Sequence, residues 1–223
     1  MYEPDAIILR KYADLLVKYA LGGGSGAKKG EVVQLNVPDT AKPLYKELLR
    51  AVLECGAFPK TNFIPTGTDR AFFDGASEEQ LVFFPEKYRH AEADLIDHQV
   101  SIISDADPNE LKGLDPARLF KAMDARRKFR DWLFEKERLG RFSWTLALYG
   151  TPAMAKEAGM TEKEYWAEII KACYLDAEDP IAEWKKIQIE QDRVKAALDA
   201  LQIEPPVGTV PGLNLLRALC GCA

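Results

Sequence analysis

The sequence predicts an α/β domain of three layers, a mostly parallel sheet flanked by helices, with a C-terminal helical segment after it. Segments with the alternating or β-branched pattern of strands recur along the chain, and segments with helical spacing of apolar residues separate them. Strands that are separated by helices usually pair in parallel through right-handed crossovers. With 223 residues, of which 47% are hydrophobic, the chain has ample material for the core of such a domain.

Four segments are predicted as strands. The clearest is "EVVQLNV", in which β-branched residues alternate with polar ones, and the weakest is "TNFIPT". The predicted strands cover 31–37, 61–66, 96–103 and 141–150.

The helices are predicted from apolar spacing and from residues that satisfy free backbone groups at helix ends. "SEEQ" at 77–80 and "TEKE" at 161–164 have the pattern of a capping box. Asp115 and Asp179 each precede a proline, which is typical of a helix start. A first helix is predicted over 5–21, and we expect Gly22 to end it in the left-handed conformation. The other predicted helices cover 42–56, 115–139 and 180–202, and the first of these has one apolar face with Leu44, Leu48, Leu49, Val52 and Leu53.

Charge and hydropathy exclude some classes of function. The net charge is −5 and the pI about 5.3, which argues against a dedicated nucleic-acid binder because such a protein needs a basic face. No apolar run approaches the roughly 20 residues of a membrane helix, so no membrane partner is expected. The cysteines at 55, 173, 220 and 222 form no disulfide framework, and we expect a cytoplasmic protein.

The glycine-rich stretch "GGGSGAKKG" at 22–30 does not have the pattern of a phosphate-binding loop. It lacks Gly-Lys-Ser/Thr, and it follows a helix and precedes a strand, whereas a phosphate loop needs the opposite order. The sequence therefore predicts a flexible connector here.

No catalytic residue and no metal ligand is predicted from the residues themselves. "DADPNE" at 105–110 lacks the glycine and the glutamate of a calcium loop, and is interpreted as a surface turn. His90 and His98 are the only histidines, and they have no spacing typical of zinc ligands. His98 lies in a predicted strand, where a hydrogen-bonded structural histidine is the favoured interpretation.

Residues 5–202 resemble the amino-terminal half of the thermophilic-type metalloaminopeptidase family that includes aminopeptidases T and S. The resemblance rests on "YADLLVKYALG", on "PLYKELLRAVLECGAFP" and on a set of spaced residues in the second half. We expect structural roles for these spaced residues, with the tryptophans as packing anchors. The set consists of Trp144, Tyr149, Pro152, Ala155, Ala158, Gly159, Met160, Asp179, Pro180 and Trp184.

The resemblance implies a two-part enzyme whose carboxy-terminal domain holds two divalent metals, zinc, cobalt or manganese. It implies hydrolysis of the first peptide bond of short peptides by a dimeric protein with an enclosed cavity. It carries no metal ligand onto this chain, because the family's ligands match positions after residue 223. The alternative is a stand-alone α/β binding or interaction module without catalytic activity.

The resemblance also divides the chain into three parts. An amino-terminal α/β domain is expected over 1–178, a connecting helix over 179–204, and a divergent tail over 205–223 that contains Cys220 and Cys222. After Glu204 the composition shifts and Arg217 is the one charged residue, which motivates the hypothesis of a truncated or frame-shifted aminopeptidase gene. The downstream DNA tests this hypothesis: it fails if no frame encodes a metal-binding half.

Overall fold

The computed structural model describes residues 2–201, so the predicted tail lies outside the described residues. The chain divides into two compact units, residues 1–185 and residues 186–223. The structure describes residues 186–201 of the second unit. The strands are β1 (Val32–Pro38), β2 (Phe58–Ile64), β3 (His98–Ile103) and β4 (Ser143–Leu148). The helices are α1 (Ala6–Leu15), α2 (Lys42–Glu54), α3 (Asp69–Gly75), α4 (Glu78–Leu81), α5 (Glu86–Leu95), α6 (Pro116–Ala125), α7 (Arg127–Arg138), α8 (Pro152–Glu157), α9 (Glu162–Ala172) and α10 (Pro180–Asp199).

The four strands form one parallel sheet in the order β2-β1-β3-β4. The register aligns Val33 of β1 with His98 of β3, and His98 with Ser143 of β4. The first residues of β3 and β4 therefore lie side by side at the amino-terminal edge of the sheet. The predicted α/β fold with a parallel sheet is confirmed.

The main core lies on one face of the sheet. The inward residues of β1, β3 and β4 pack with α1, α2 and α9, and most of them are completely inaccessible to solvent. Leu53 of α2 was predicted on this buried face, and that prediction is wrong: its side chain is 57% exposed. Ala51 and Val52 in the same turn are completely buried, so Leu53 lies beside the buried face of α2 and not on it. The central residues of the cluster are Leu9, Tyr12, Val33, Leu35, Val37, Leu44, Leu48, Val52, Val100, Ile102 and Trp166.

Two smaller clusters complete the helical layers. On the opposite face, α5 and α7 enclose a cluster of four buried residues, Ala93, Ile96, Leu133 and Phe142, which also contacts Val32 at the start of β1. A third cluster joins α3, α4 and α6 through Phe73, Leu81 and Ala122. The sheet is thus the middle layer of three, as predicted.

The single helix predicted over 115–139 is wrong. Asp115 caps α6 as expected and accepts a hydrogen bond from Ala117 N, but the helix ends at Ala125 and a new one begins at Arg127. Arg126 has φ −91° and ψ −2°, and its N–H bonds to Met123 O, which tightens the last turn. Hydrophobic spacing continues across this break, so the sequence pattern did not indicate it.

The glycine-rich stretch is an ordered turn, which contradicts the predicted flexible connector. The first helix continues past α1 as a π-helical turn over Leu16–Ala20, and Gly22 has φ +59°, the left-handed conformation expected there. The chain then doubles back: Gly26 N bonds to Leu21 O and Ala27 N to Val17 O. Glycine allows the turn to pack closely against the backbone of the preceding helical turn, since a Cβ at Gly26 would lie 2.3 Å from Lys18 O.

The predicted helix over 180–202 is observed as α10, Pro180–Asp199. Its part in the second unit is exposed to solvent at Val194 and Leu198. Within residues 2–201, none of the helices is both long enough and apolar enough to cross a membrane.

Candidate functional site

Two residues of the predicted set, Tyr149 and Pro152, lie just after the carboxyl end of β4 and have structural roles. Tyr149 is buried, and its ring meets that of Trp166 edge-on, with centroids 5.0 Å apart. Trp166 Nε1 donates to Gly150 O across 3.2 Å. A Cβ at Gly150 would lie 2.9 Å from the ring of Tyr165, so the close packing requires glycine. Thr151 comes next and caps α8, and Pro152 is the first residue of that helix.

Ala158, Gly159 and Met160 end α8. Gly159 N bonds to Lys156 O and Met160 N to Ala155 O, the pattern of a Schellman motif, and Gly159 has the required positive φ of +68°. The next residue begins the predicted capping box of α9, in which the Thr161 hydroxyl accepts from Glu164 N.

Asp179, Pro180 and Trp184 form the start of α10, the part that belongs to the first unit. The Asp179 carboxylate accepts from Ala182 N at 3.1 Å, and Pro180 is buried. Trp184 packs on the main core, and its Nε1 lies 3.4 Å from Cys173 O. These contacts are structural ones.

Trp144 is an exception, because it is not a packing anchor. Its side chain is 49% exposed, and its Nε1 donates to the Glu137 carboxylate of α7 at 3.0 Å. Alternation along β4 explains the difference: Trp144, Leu146 and Leu148 point away from the main core, while Ala147 points into it. The side chains of these three residues form an exposed apolar row on an edge strand.

The amino-terminal edge of the sheet brings together Glu31, His98 and Ser143. His98 Nε2 lies 2.8 Å from Glu31 Oε2, and His98 Nδ1 lies 2.8 Å from Ser143 Oγ. Ser143 Oγ also accepts from Gly22 N of the glycine turn at 2.8 Å. All four residues line one cleft of about 600 Å³. His98 is thus hydrogen-bonded at both ring nitrogens, within a larger group of polar side chains.

The charge on Glu31 determines the direction of these hydrogen bonds. Partial burial would raise the pKa of Glu31, but hydrogen bonds from His98 and from Lys28 N outweigh it, so the pKa of the carboxyl is lowered. An ionised carboxylate only accepts hydrogen bonds, so a neutral His98 carries its proton on Nε2. Its Nδ1 then accepts from the Ser143 hydroxyl.

A second polar network lies on the face of the sheet opposite the main core, centred on Glu92 of α5. Glu92 is 7% exposed, and its carboxylate accepts from Lys60 of β2 and, at 2.7 Å, from Arg89. Lys60 also donates to Gln34 Oε1 at 2.7 Å. Burial alone would raise the pKa of Glu92, but the bonds from Lys60 and Arg89 lower it.

Glu92 is therefore expected to contribute stability that is lost in acid. A carboxyl whose pKa is lower in the folded state stabilises that state above its unfolded pKa, about 4.3, and this contribution disappears as the pH falls through the folded value. We expect the free energy of unfolding to fall more steeply below about pH 5 in the wild type than in Glu92→Gln. Urea unfolding from pH 7 to 3 measures this, with exposed Glu157→Gln as the control. Equal slopes for the wild type and Glu92→Gln would contradict the prediction.

Among residues 2–201 there is no group of three or more His, Cys, Asp or Glu side chains that could hold a metal ion. The residues that the structure describes therefore do not fit the two divalent metals that the resemblance implies, and no metal chemistry is derived from them. The Glu31–His98–Ser143 group supplies one carboxylate and one imidazole, fewer ligands than a stable site needs.

Comparison with known proteins decides the family. The sequence model of the family described as "Thermophilic metalloprotease (M29)" matches residues 6–214, most of the chain. The chain belongs to this family. The match reaches beyond residue 204, into the segment assigned to a divergent tail, so the family resemblance extends further than the 5–202 estimated from the sequence.

Two proteins that are similar to the chain are about twice as long as it is. It is 27% identical over 220 residues to "Aminopeptidase 2" of Geobacillus stearothermophilus, covering 92% of this chain and 51% of that protein. The chain thus spans about half the length of this curated relative. The solved structure "Wild-type AmpT from Thermus thermophilus" matches with a TM-score of 0.64 at 22% identity, over 80% of this chain and 45% of that one, which supports the shared fold.

The sequence alone did not indicate that Glu31, His98 and Ser143 lie together in this member of the M29 family. Glu31 is 67 positions from His98, and Ser143 is 45 positions from it, so no local motif connects them. A signal was present in the predicted strands, because parallel strands place their first residues at one edge. The sequence could not give the register that aligns His98 with Ser143.

Proposed function

We propose that the α/β domain is the amino-terminal domain of a metal-dependent aminopeptidase, which removes the first residue of short peptides. The observation that carries this proposal is the family match over residues 6–214. The relative named Aminopeptidase 2, of which the chain spans about half, supports it further. The metal-binding groups of such an enzyme would lie outside residues 2–201, which have no cluster of suitable ligands.

The exposed apolar row of β4 favours this proposal over a stand-alone binding module. Trp144 and Leu146 are 49% and 53% exposed, and Leu148 is 37% exposed. Contiguous apolar side chains on a surface are typical of regions that contact another domain or protein. A module that works alone in water is expected to present polar side chains there.

An activity assay tests the proposal. We expect the purified 223-residue chain, supplied with Co²⁺, Zn²⁺ or Mn²⁺, to release no p-nitroaniline from leucine p-nitroanilide above a blank of metal alone. The reason is that a metal-activated water needs about three protein ligands per ion, which residues 2–201 do not bring together.

Aminopeptidase 2 from Geobacillus stearothermophilus, assayed under the same conditions, is the positive control. A cooperative urea transition of the chain confirms that it is folded in the assay. Metal-dependent turnover by the folded chain would contradict the assignment of the metal site to residues outside 2–201. Sedimentation of the same sample tests whether the chain forms the homodimer that is part of this proposal.

A further inference from the structure

The Glu31–His98–Ser143 group has the order of hydrogen bonds that activates a serine hydroxyl. The carboxylate of Glu31 accepts from His98 Nε2, and His98 Nδ1 accepts from the Ser143 hydroxyl, each across 2.8 Å. A base within hydrogen-bond reach of a hydroxyl, itself oriented by a third group, is the arrangement of nucleophilic catalysis. In this chain the base is His98, which accepts the hydrogen bond of the serine hydroxyl through Nδ1. The carboxylate that orients it belongs to a glutamate, Glu31.

The cleft beside Ser143 has room for a small substrate. Its volume is about 600 Å³, and the three residues of the group line it together with the glycine turn. A Cβ at Gly23 or at Gly140 would meet no atom within 4 Å, so the wall is open at both places. Gly22 N–H donates to Ser143 Oγ at 2.8 Å and holds the hydroxyl oxygen at the wall of the cleft.

We infer that Ser143 is a nucleophile that takes acyl groups from small uncharged carboxylic esters, with His98 as general base and Glu31 as the residue that positions the imidazole. This activity needs no metal and goes beyond the proposed aminopeptidase function. Formal charges on the walls of the cleft are mixed, which favours an uncharged substrate. The other titratable groups that line the cleft are Lys28, Asp94, Asp97, Lys136 and Arg141.

The reaction proceeds in two balanced steps. As Ser143 Oγ bonds to the ester carbonyl carbon, its proton moves to His98 Nδ1, and collapse of the intermediate breaks the bond to the alcohol oxygen, which leaves with that proton. Water then attacks the acyl-serine with His98 as base again. The carboxylic acid departs, and the Ser143 hydroxyl is restored.

Acylation of the wild-type chain by p-nitrophenyl acetate tests the inference directly. In the presence of a chelator, we expect release of p-nitrophenolate and a single acetyl group on Ser143 in the peptide map. Ser143→Ala and His98→Gln are each expected to lower the rate at least about a hundredfold, since a positioned base contributes at least that factor. Ser101→Ala, three residues after His98 on β3, is the control and should keep the wild-type rate.

Two results would overturn the inference: a folded wild-type chain that releases no p-nitrophenolate above the uncatalysed rate, or equal rates for wild type and Ser143→Ala. The first needs no variant, so a folding defect cannot obscure it. Urea unfolding of each variant identifies any that fail to fold. Ser143→Thr keeps a hydroxyl, so it shows whether the loss of rate in Ser143→Ala comes from removal of the hydroxyl. Because the assay contains chelator, its outcome is independent of the metal-dependent leucine assay.

The role of Glu31 has its own readout. Glu31→Gln removes the carboxylate that orients the imidazole, so we expect kcat for acylation to fall while KM stays the same, and Glu31→Asp, which keeps a carboxylate, to recover part of the rate. Equal loss of kcat in Glu31→Gln and Glu31→Asp, or a change in KM alone, would overturn the positioning role.

Discussion

Trp166→Ala is expected to lower the free energy of unfolding by about 3–5 kcal/mol, the range measured for removal of large aromatic side chains from cores. Trp166 is 1% exposed and packs at the centre of the main core. Its removal would leave a cavity beside Tyr149 and deprive Gly150 O of its hydrogen bond from Nε1. Urea denaturation followed by circular dichroism measures the change.

Trp144→Ala is the matched control, because the residue type is the same and the environment differs. Its side chain is about half exposed and bonds to Glu137 at the surface, so we expect a loss of about 1 kcal/mol or less. Losses of equal size for the two variants would contradict the assignment of Trp166 to the core and of Trp144 to the surface.

Gly26→Ala is expected to destabilise the domain by more than about 3 kcal/mol, because two separate costs combine. Gly26 has φ +72°, where an L-residue is disfavoured by about 1–2 kcal/mol. In addition, a Cβ at this position would lie 2.3 Å from Lys18 O, a backbone atom that cannot move without shifting the preceding helical turn. The midpoint of thermal unfolding and the urea transition both measure the loss.

Gly23→Ala separates the two costs. Gly23 has a similar φ of +62°, but a Cβ there would meet nothing within 4 Å. We expect this variant to lose about 1–2 kcal/mol, from backbone conformation alone. If Gly26→Ala proves no worse than Gly23→Ala, the turn is not packed against the first helix and the prediction of a flexible connector was right.

Local chemistry in the sequence predicted several features that the structure confirms. Both capping boxes are observed with the expected partners, Ser77 with Gln80 and Thr161 with Glu164. Asp115 caps α6 as predicted. These features need only residues two or three positions apart, whose interactions are set by helix geometry whatever the rest of the fold.

Features that depend on the neighbours of a residue were predicted less well. Hydrophobic spacing continued through Arg126, so the break between α6 and α7 was missed. The composition of residues 22–30 suggested flexibility, yet Gly26 is held against Lys18. Glycine allows both a loose chain and the closest backbone approach, and the packing partner decides which occurs.

The sequence by itself determined the α/β class, the starts of the helices with a capping side chain, and the family, because these depend on local pattern and on residues spaced along one chain. Tertiary structure alone decided which tryptophan is buried, and it alone brought Glu31 and Ser143 to His98. The register of parallel strands β1, β3 and β4 aligns residues far apart in sequence at one edge of the sheet. That register follows from the burial of one whole sheet face, a property of the packed molecule that no short segment contains.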